Sequence, residues 1–296
     1  MNRKAIGRDT GLTVRMFLTM FLLAALYLAF VFVLVRAGVG IIFVALIAGG
    51  LLVVQYYLSD TLVLASVGAR VVTAQEQPQL HAIVGKLAAT ADLPMPRVAV
   101  VDSNIPNAFA TGRNPRHAVV AVTSALLQRL PPQELEAVLG HELTHVKNRD
   151  MAVITVASFF ATVAAFLVQQ FMFWGIFDEE DSRSNYTWLI YLASILVWLI
   201  SYFLINALSR YREYAADRGS AILTGSPSQL ESALTRISGQ MERIPNRDLR
   251  QAERLNAFYI IPAVSRQSLM ELFSTHPSLE HRLAQLQRIE RQMEGV

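Results

Sequence analysis

Residues 141–145 read His141-Glu142-Leu143-Thr144-His145, and a stretch without any charged residue, Met151 to Phe177, follows closely. Upstream, Pro131-Pro132 with Glu134 and Glu136 has the pattern of a helix start. The helix is expected to run through Asp150 and directly on into the charge-free stretch. On a helix, positions i and i+4 lie about 40° apart around the axis, so His141 and His145 leave one face a turn apart. Two imidazole nitrogens so placed can hold one Zn²⁺ at about 2.0–2.1 Å. Glu142 is offset by about 100° and can reach water activated at the metal without ligating it. That is the place of a general base that later hands its proton to a leaving amine. The plain alternative is a solvated helix face with two chance histidines. Val138, Leu139 and Val146 give the helix an apolar side, and the other four histidines are scattered, which favours metal.

Outward from this motif the chain is apolar. Of its 296 residues 53% are hydrophobic and only 17% are charged, against about 25% charged in an ordinary soluble domain. The excess lies in four uncharged runs: Leu18–Val35, Ala37–Ser59, Met151–Phe177 and Ser184–Ser209. Each is long enough to cross a hydrocarbon core of about 30 Å. The first is too long for a signal peptide, lacks a small-residue cleavage site, and is followed at once by a second run. The first two therefore read as a hairpin around Arg36–Gly40.

Charge orients the spans. Arg3, Lys4, Arg8 and Arg15 precede the first run, with Asp9 as the one acid. Asp178, Glu179, Glu180 and Asp181 lie between the third and fourth, and Arg210, Arg212 and Arg218 follow the fourth. Both termini and the central polar segment are expected in the cytoplasm, on a multi-pass protein of the inner (plasma) membrane. The net charge of +3 then reflects cytoplasmic loops, and no nucleic-acid partner is expected. With no cysteine in the chain, disulfides, iron–sulfur clusters, thiolate zinc sites and a cysteine nucleophile are excluded.

The expected organisation is a membrane hairpin at 1–59, half of a polar domain at 60–150, a second hairpin at 151–209, and the other half at 210–296. The two polar parts together suffice for one core. Gln79–Ala91 has helical spacing, with Leu80, Ile83, Val84 and Leu87 on one stripe. Arg97–Val101 and His117–Val122 read as strands, and Asn107–Ala110 as a short extended stretch before a turn at Thr111–Pro115. Further helices are expected from Ser226 and over Pro277–Met293. The fold class is mainly α: four transmembrane helices plus a cytoplasmic α+β domain with a small sheet. Gln240–Pro262 has mixed polarity and receives no role.

A catalytic zinc needs three protein ligands and an open position. Without cysteine the third is His, Glu or Asp. Glu213 is the candidate, with Asp217 one turn on and able to accept a hydrogen bond from a ligand imidazole. The alternative is a surface helix with Arg–Glu pairs. Asn148 is a further supporting candidate, and with Asp150 it would tie the catalytic helix to its surroundings. Arg212 reads best as an ion-pair partner. Asn107, Ala108, Phe109 and Ala110 form either an ordinary loop edge or a free strand edge that pairs with an extended substrate. His276 either stabilises a developing oxyanion or simply precedes a helix that has Pro277 at its first position.

His141-Glu142-x-x-His145-x-x-Asn148-x-Asp150, followed by Glu213-x-x-Ala216-Asp217, resembles the M48 family of membrane zinc endopeptidases. The order of spans and motifs resembles the HtpX-like heat-shock proteases within it. Asn107-Ala108-Phe109-Ala110-Thr111-Gly112 and Thr275-His276-Pro277 are similar to that family's Asn-Ala-Phe and His-Pro segments. The resemblance covers about residues 60 to 290; the first two spans match in position only. It implies a zincin-like (gluzincin) fold, one zinc per chain on His141, His145 and Glu213, and Glu142 as base. It also implies quality-control proteolysis of membrane-protein or unfolded polypeptide substrates at the lipid bilayer. A protease cutting inside the membrane would need the motif within an apolar span, whereas Glu134, Glu136, Lys147 and Arg149 flank it here. A membrane scaffold or chaperone adaptor with an inert zinc site is the alternative from another class.

Overall fold

The computed structural model describes residues 9–36, 63–174, 184–241 and 276–295, with isolated positions between 42 and 61. In chain order the elements are α1 (Thr10–Arg36), β1 (Arg70–Val71), α2 (Pro78–Ala91), β2 (Arg97–Val101), β3 (Ala108–Thr111), β4 (Val119–Thr123), α3 (Ser124–Arg129), α4 (Pro132–Asn148), α5 (Asp150–Trp174), α6 (Ser184–Thr224), α7 (Pro227–Met241) and α8 (Leu279–Glu294). The molecule is mostly helical with a small mixed sheet.

Among the described residues three helices are long and apolar enough to cross a membrane, at Thr10–Arg36, Asp150–Gln169 and Trp188–Thr224. The expected second span, Ala37–Ser59, falls almost wholly outside the described residues, as do its hairpin and the acidic loop at 178–183. On α1 one stripe is buried, Thr19, Leu23, Tyr27, Phe30 and Leu34. Phe17, Phe21, Leu28 and Phe32 are exposed. This inverts the soluble pattern and suits a helix with lipid on most sides. Tyr27 Oη donates to Ala157 O of α5 at 2.6 Å and Thr19 Oγ1 to Arg15 O at 2.8 Å, so both polar groups on that stripe are satisfied.

The sheet runs β1-β2-β4-β3, with β2 and β4 parallel and both outer pairs antiparallel. Every residue of β4 is buried, which explains why its sequence, Val-Val-Ala-Val-Thr, does not alternate. Val98, Val120, Val122 and Ala108 face a core shared with α2, α4, α7 and α8. Ala99, Val101, Val119, Ala121 and Phe109 face Val63, Leu64 and Val67 instead. In this order β3 is an edge strand, lying beside α4.

Two elements differ from expectation around the motif helix. The helix does not continue into the membrane: Arg149 is left-handed at φ 56°, and its N–H caps His145 O and Val146 O. A new helix starts at Asp150. At the other end, Ser278 caps α8, so Pro277 stands before the helix and not at its first position.

Glu134 was expected to complement the α4 dipole. It is buried, and its carboxylate accepts from Arg236 Nε at 2.8 Å and Ser232 Oγ at 2.7 Å, joining α4 to α7. Burial alone would raise this carboxyl, but the Arg236 and Ser232 hydrogen bonds hold it below the usual value. A depressed folded pKa gives stability that is present above the unfolded value, near 4.3–4.5, and lost as pH falls through the folded value. Glu134→Gln is therefore expected to cost about 1–2 kcal/mol, discounted because Arg236 is half exposed. Thermal melts in detergent should show a constant gap from wild type between pH 8 and 5 that closes under more acid conditions.

Candidate metal centre

Three elements bring the functional groups together. α4 supplies His141, Glu142 and His145. α6, a single unbroken helix, carries Glu213 and Asp217 out of its membrane portion. α8 and the residues before it supply Arg282 and His276. The two long helices approach closely because small residues face each other. A Cβ at Gly219 would overlap the Thr144 side chain and lie 2.8 Å from Thr144 Cβ, and one at Gly140 would lie 3.2 Å from Ser220 Oγ. Ser220 Oγ donates to Ala137 O at 2.6 Å across this contact. Gly219→Ala should thus push apart the helices that carry the ligands, at about 1–3 kcal/mol for overpacking. Zinc affinity should fall with it. Thr144→Ala in the same chain removes the outer clashing atoms but leaves its Cβ, so a thermal melt should show partial recovery.

His141 Nε2 and His145 Nε2 lie 3.1 Å apart. Glu213 Oε2 is 3.5 Å from the first, and Glu213 Oε1 is 3.4 Å from the second. Donors on one tetrahedral ion with bonds of about 2.0–2.1 Å are separated by about 3.3–3.4 Å. The three side chains therefore sit where ligands of a single zinc-sized ion belong, and no other such group occurs among the described residues. The outward nitrogens support this. His141 Nδ1 is 2.9 Å from Asp217 Oδ1, and His145 Nδ1 is 2.6 Å from Asp150 Oδ2. Each carboxylate accepts a hydrogen bond from Nδ1–H and leaves the Nε2 lone pair for a metal.

Charge makes the same demand. Glu142, Glu213, Asp217 and Asp150 are buried beside Arg212 and Arg282, which are buried too. Among the described residues, four ionised carboxylates against two guanidiniums leave two negative charges when the histidines are neutral, a surplus that a bound divalent cation or protons on these groups would offset. Burial disfavours charged imidazoles, yet Asp217 and Glu213 beside His141, and Glu213 and Glu142 beside His145, raise both histidines above the ordinary value. Burial also pushes the Glu142 carboxyl up, against the pull of both histidines. Glu142 Oε2 accepts from the Ala110 N–H at 3.0 Å, so it sits on the edge of β3 turned away from β4.

The sequence expectations distribute as follows. His141, His145, Glu213, Glu142 and Asp217 converge. Asn107 is buried, its N–H donating to Thr123 Oγ1 at 2.9 Å and its carbonyl accepting from Thr123 N at 2.9 Å. Ala108, Phe109 and Ala110 belong to β3. His276 is buried, with Nδ1 3.3 Å from Glu213 Oε2. Asn148 is exposed at the end of α4, and it is Asp150 that accepts the hydrogen bond from His145 Nδ1. Arg212 pairs with Asp150.

Sequence reading missed Arg282. It donates to both Asp217 oxygens, Nε to Oδ2 at 2.9 Å and a terminal nitrogen to Oδ1 at 2.5 Å. Another terminal nitrogen lies 3.5 Å from Glu213 Oε2. A signal existed: Arg282 is spaced with Leu286, Ile289 and Met293 on the buried stripe of α8, where an unpaired charge would be costly.

Comparison with known proteins agrees with this geometry. The family model described as "Peptidase family M48" matches residues 74–290. A "Protease HtpX homolog" of Moorella thermoacetica is 66% identical over 99% of both chains. A "Protease HtpX homolog 2" of Methanosarcina acetivorans is 53% identical over 97% of this chain and 98% of that one. Among solved structures, S. mikatae Ste24p shares the fold with a TM-score of 0.53 at 17% identity, over 94% of this chain and 67% of that one. A family match across the motif helix, α6 and α8, joined to relatives of this identity along the whole chain, places it: the chain belongs to peptidase family M48, among its HtpX-like members.

Proposed function

We propose that this chain is a zinc-dependent membrane endopeptidase that cuts cytoplasmic parts of misfolded or damaged membrane proteins, and unfolded polypeptides, close to the bilayer. The observation that carries the reading is Glu142 Oε2 against the Ala110 N–H, on the side of β3 that pairs with no other strand among the described residues, beside the converging His141, His145 and Glu213 donors. Along an edge strand alternate residues turn both backbone groups outward. Ala110 does so, and by alternation Ala108 does too. An extended peptide pairing there lies antiparallel or parallel to β3 with its backbone beside Glu142. Main-chain pairing tolerates many sequences, as a protease with varied damaged clients requires. Zn²⁺ held by His141, His145 and Glu213 would polarise the peptide carbonyl and acidify water. Glu142 takes the proton of the attacking water and passes it to the nitrogen of the breaking C–N bond. Asp217 and Asp150 hold the two imidazoles in the tautomer that presents Nε2. His276, whose Nδ1 is 3.3 Å from Glu213 Oε2, would donate to the carbonyl oxygen as it gains charge.

The location of the site bears on the substrate. His145 Nδ1 is 2.6 Å from the carboxylate of Asp150, the first residue of α5. The basic segments around both termini support a cytoplasmic site on an enzyme of the inner (plasma) membrane. A scaffold or adaptor has no use for a buried base aimed at a free strand edge, and this disfavours it. In the test, chelator-stripped, detergent-purified protein should not degrade casein, and one equivalent of zinc should restore degradation. Cut sites in a reconstituted membrane-protein substrate should cluster near its spans. Cleavage unaffected by chelation, or cuts confined to remote soluble domains, would overturn the reading.

A further inference from the structure

A second cavity lies beside the α4–α6 contact, away from the metal donors. Its volume is about 470 Å³, and its walls come from the first turns of α1, the end of α4 and the stretch of α6 after its membrane portion. Thr144 and Gly219, the pair that sets the helix separation, both reach it. Arg218 and Lys147 supply two positive charges, and Asp9 supplies one negative charge. Asp9 caps α1, accepting from Leu12 N at 2.9 Å, and also lies close enough to Arg218 to offset part of its charge, so the lining carries a net charge of one positive. The rest of the lining is largely apolar, with Leu12, Met16, Ile222 and Leu223.

This combination specifies an amphiphile. Water filling the cleft would lie against hydrocarbon over much of the wall. A small soluble anion would use the cations and leave the apolar wall bare. The position settles which amphiphile. The charge-free part of α1 starts at Met16, and α5 starts at Asp150, just past Asn148, so the cavity lies at the depth of lipid headgroups. Basic pockets between membrane helices at that depth take anionic headgroups, each Lys or Arg contributing about five-fold in affinity. We propose that this cleft binds one anionic phospholipid, its phosphate between Arg218 and Lys147 and its acyl chains leaving past Met16 along α1. The proposal rests on the membrane reading of α1, α5 and α6 and not on peptidase activity. Occupancy braces the α4–α6 contact that spaces the metal donors, so bound lipid raises the melting temperature.

The test titrates short-chain phosphatidylglycerol into the full-length protein in neutral detergent and follows the melting temperature. Short-chain phosphatidylcholine and inorganic phosphate form parallel arms. Wild type should show a saturable rise with phosphatidylglycerol only. Arg218→Gln and Lys147→Gln should each weaken apparent affinity about five-fold, and together about thirty-fold. Leu12→Trp, which fills the cleft and keeps its charges, should abolish the rise. Arg15→Gln, an exposed cation outside the lining, should leave it intact. Equal loss with Arg15→Gln, a full response in the double variant, or the same rise with phosphate alone would each overturn the assignment. Because none of these arms measures hydrolysis, failure of the lipid site is distinguishable from failure of the protease reading.

Discussion

Glu142→Gln is expected to lower peptide hydrolysis by about 10²–10⁴-fold, the usual contribution of a positioned general base. Zinc stoichiometry should stay at that of wild type. The glutamine keeps an acceptor oxygen for the Ala110 N–H, so the strand edge and α4 stay in register. It cannot take a proton. The three donors that match zinc geometry are His141, His145 and Glu213, and none of them is altered. Casein degradation and metal content, measured on one preparation of each protein, check both halves. Hydrolysis at wild-type rate would point to a contaminant or to another base.

Arg282→Met has the largest expected effect on stability. It removes the guanidinium that spans both Asp217 oxygens and leaves a fully buried carboxylate without its charged partner. Breaking such a pair from one side costs about 3–5 kcal/mol, which corresponds to a fall in melting temperature of about 6–20 °C. Adding Asp217→Asn removes the stranded charge and should recover much of that loss. It should not recover metal binding, because the His141 Nδ1 partner is then a weaker acceptor. Zinc affinity should stay about 10–100-fold down by chelator competition. Recovery of stability without recovery of affinity would separate the positioning role of the pair from a structural one.

How much of this was legible depends on how local each relation is. His141, Glu142 and His145 share one helix, and helical geometry alone fixes their relation. Glu213 and Asp217 were legible as a one-turn pair, but their approach to α4 depends on Gly219 and Gly140, whose effect appears only once two helices pack. The partner of His145 was beyond a helical reading. A continuous helix would aim residue 150 away from residue 145, and the left-handed Arg149 turns the Asp150 carboxylate back to it. Arg282 stood on a visible apolar stripe, yet its partner is 65 positions earlier in the chain. In the sheet, the β-branched runs located β2 and β4. The two-residue β1 carried no pattern to detect.

One consequence of the unbroken α6 is mechanical. Its tightest contact is at Gly219, about 9 Å along the axis from Glu213 and about 46 Å from Trp188 near its far end. A rigid rod pivoting at that contact has its short arm at the metal and its long arm in the bilayer. Displacements of the far end reach Glu213 reduced about five-fold, so a shift of about 1 Å arrives as roughly 0.2 Å, the tolerance of a metal–ligand bond. Swelling, thinning and undulation of the membrane would thereby be geared down before they reach the metal donors.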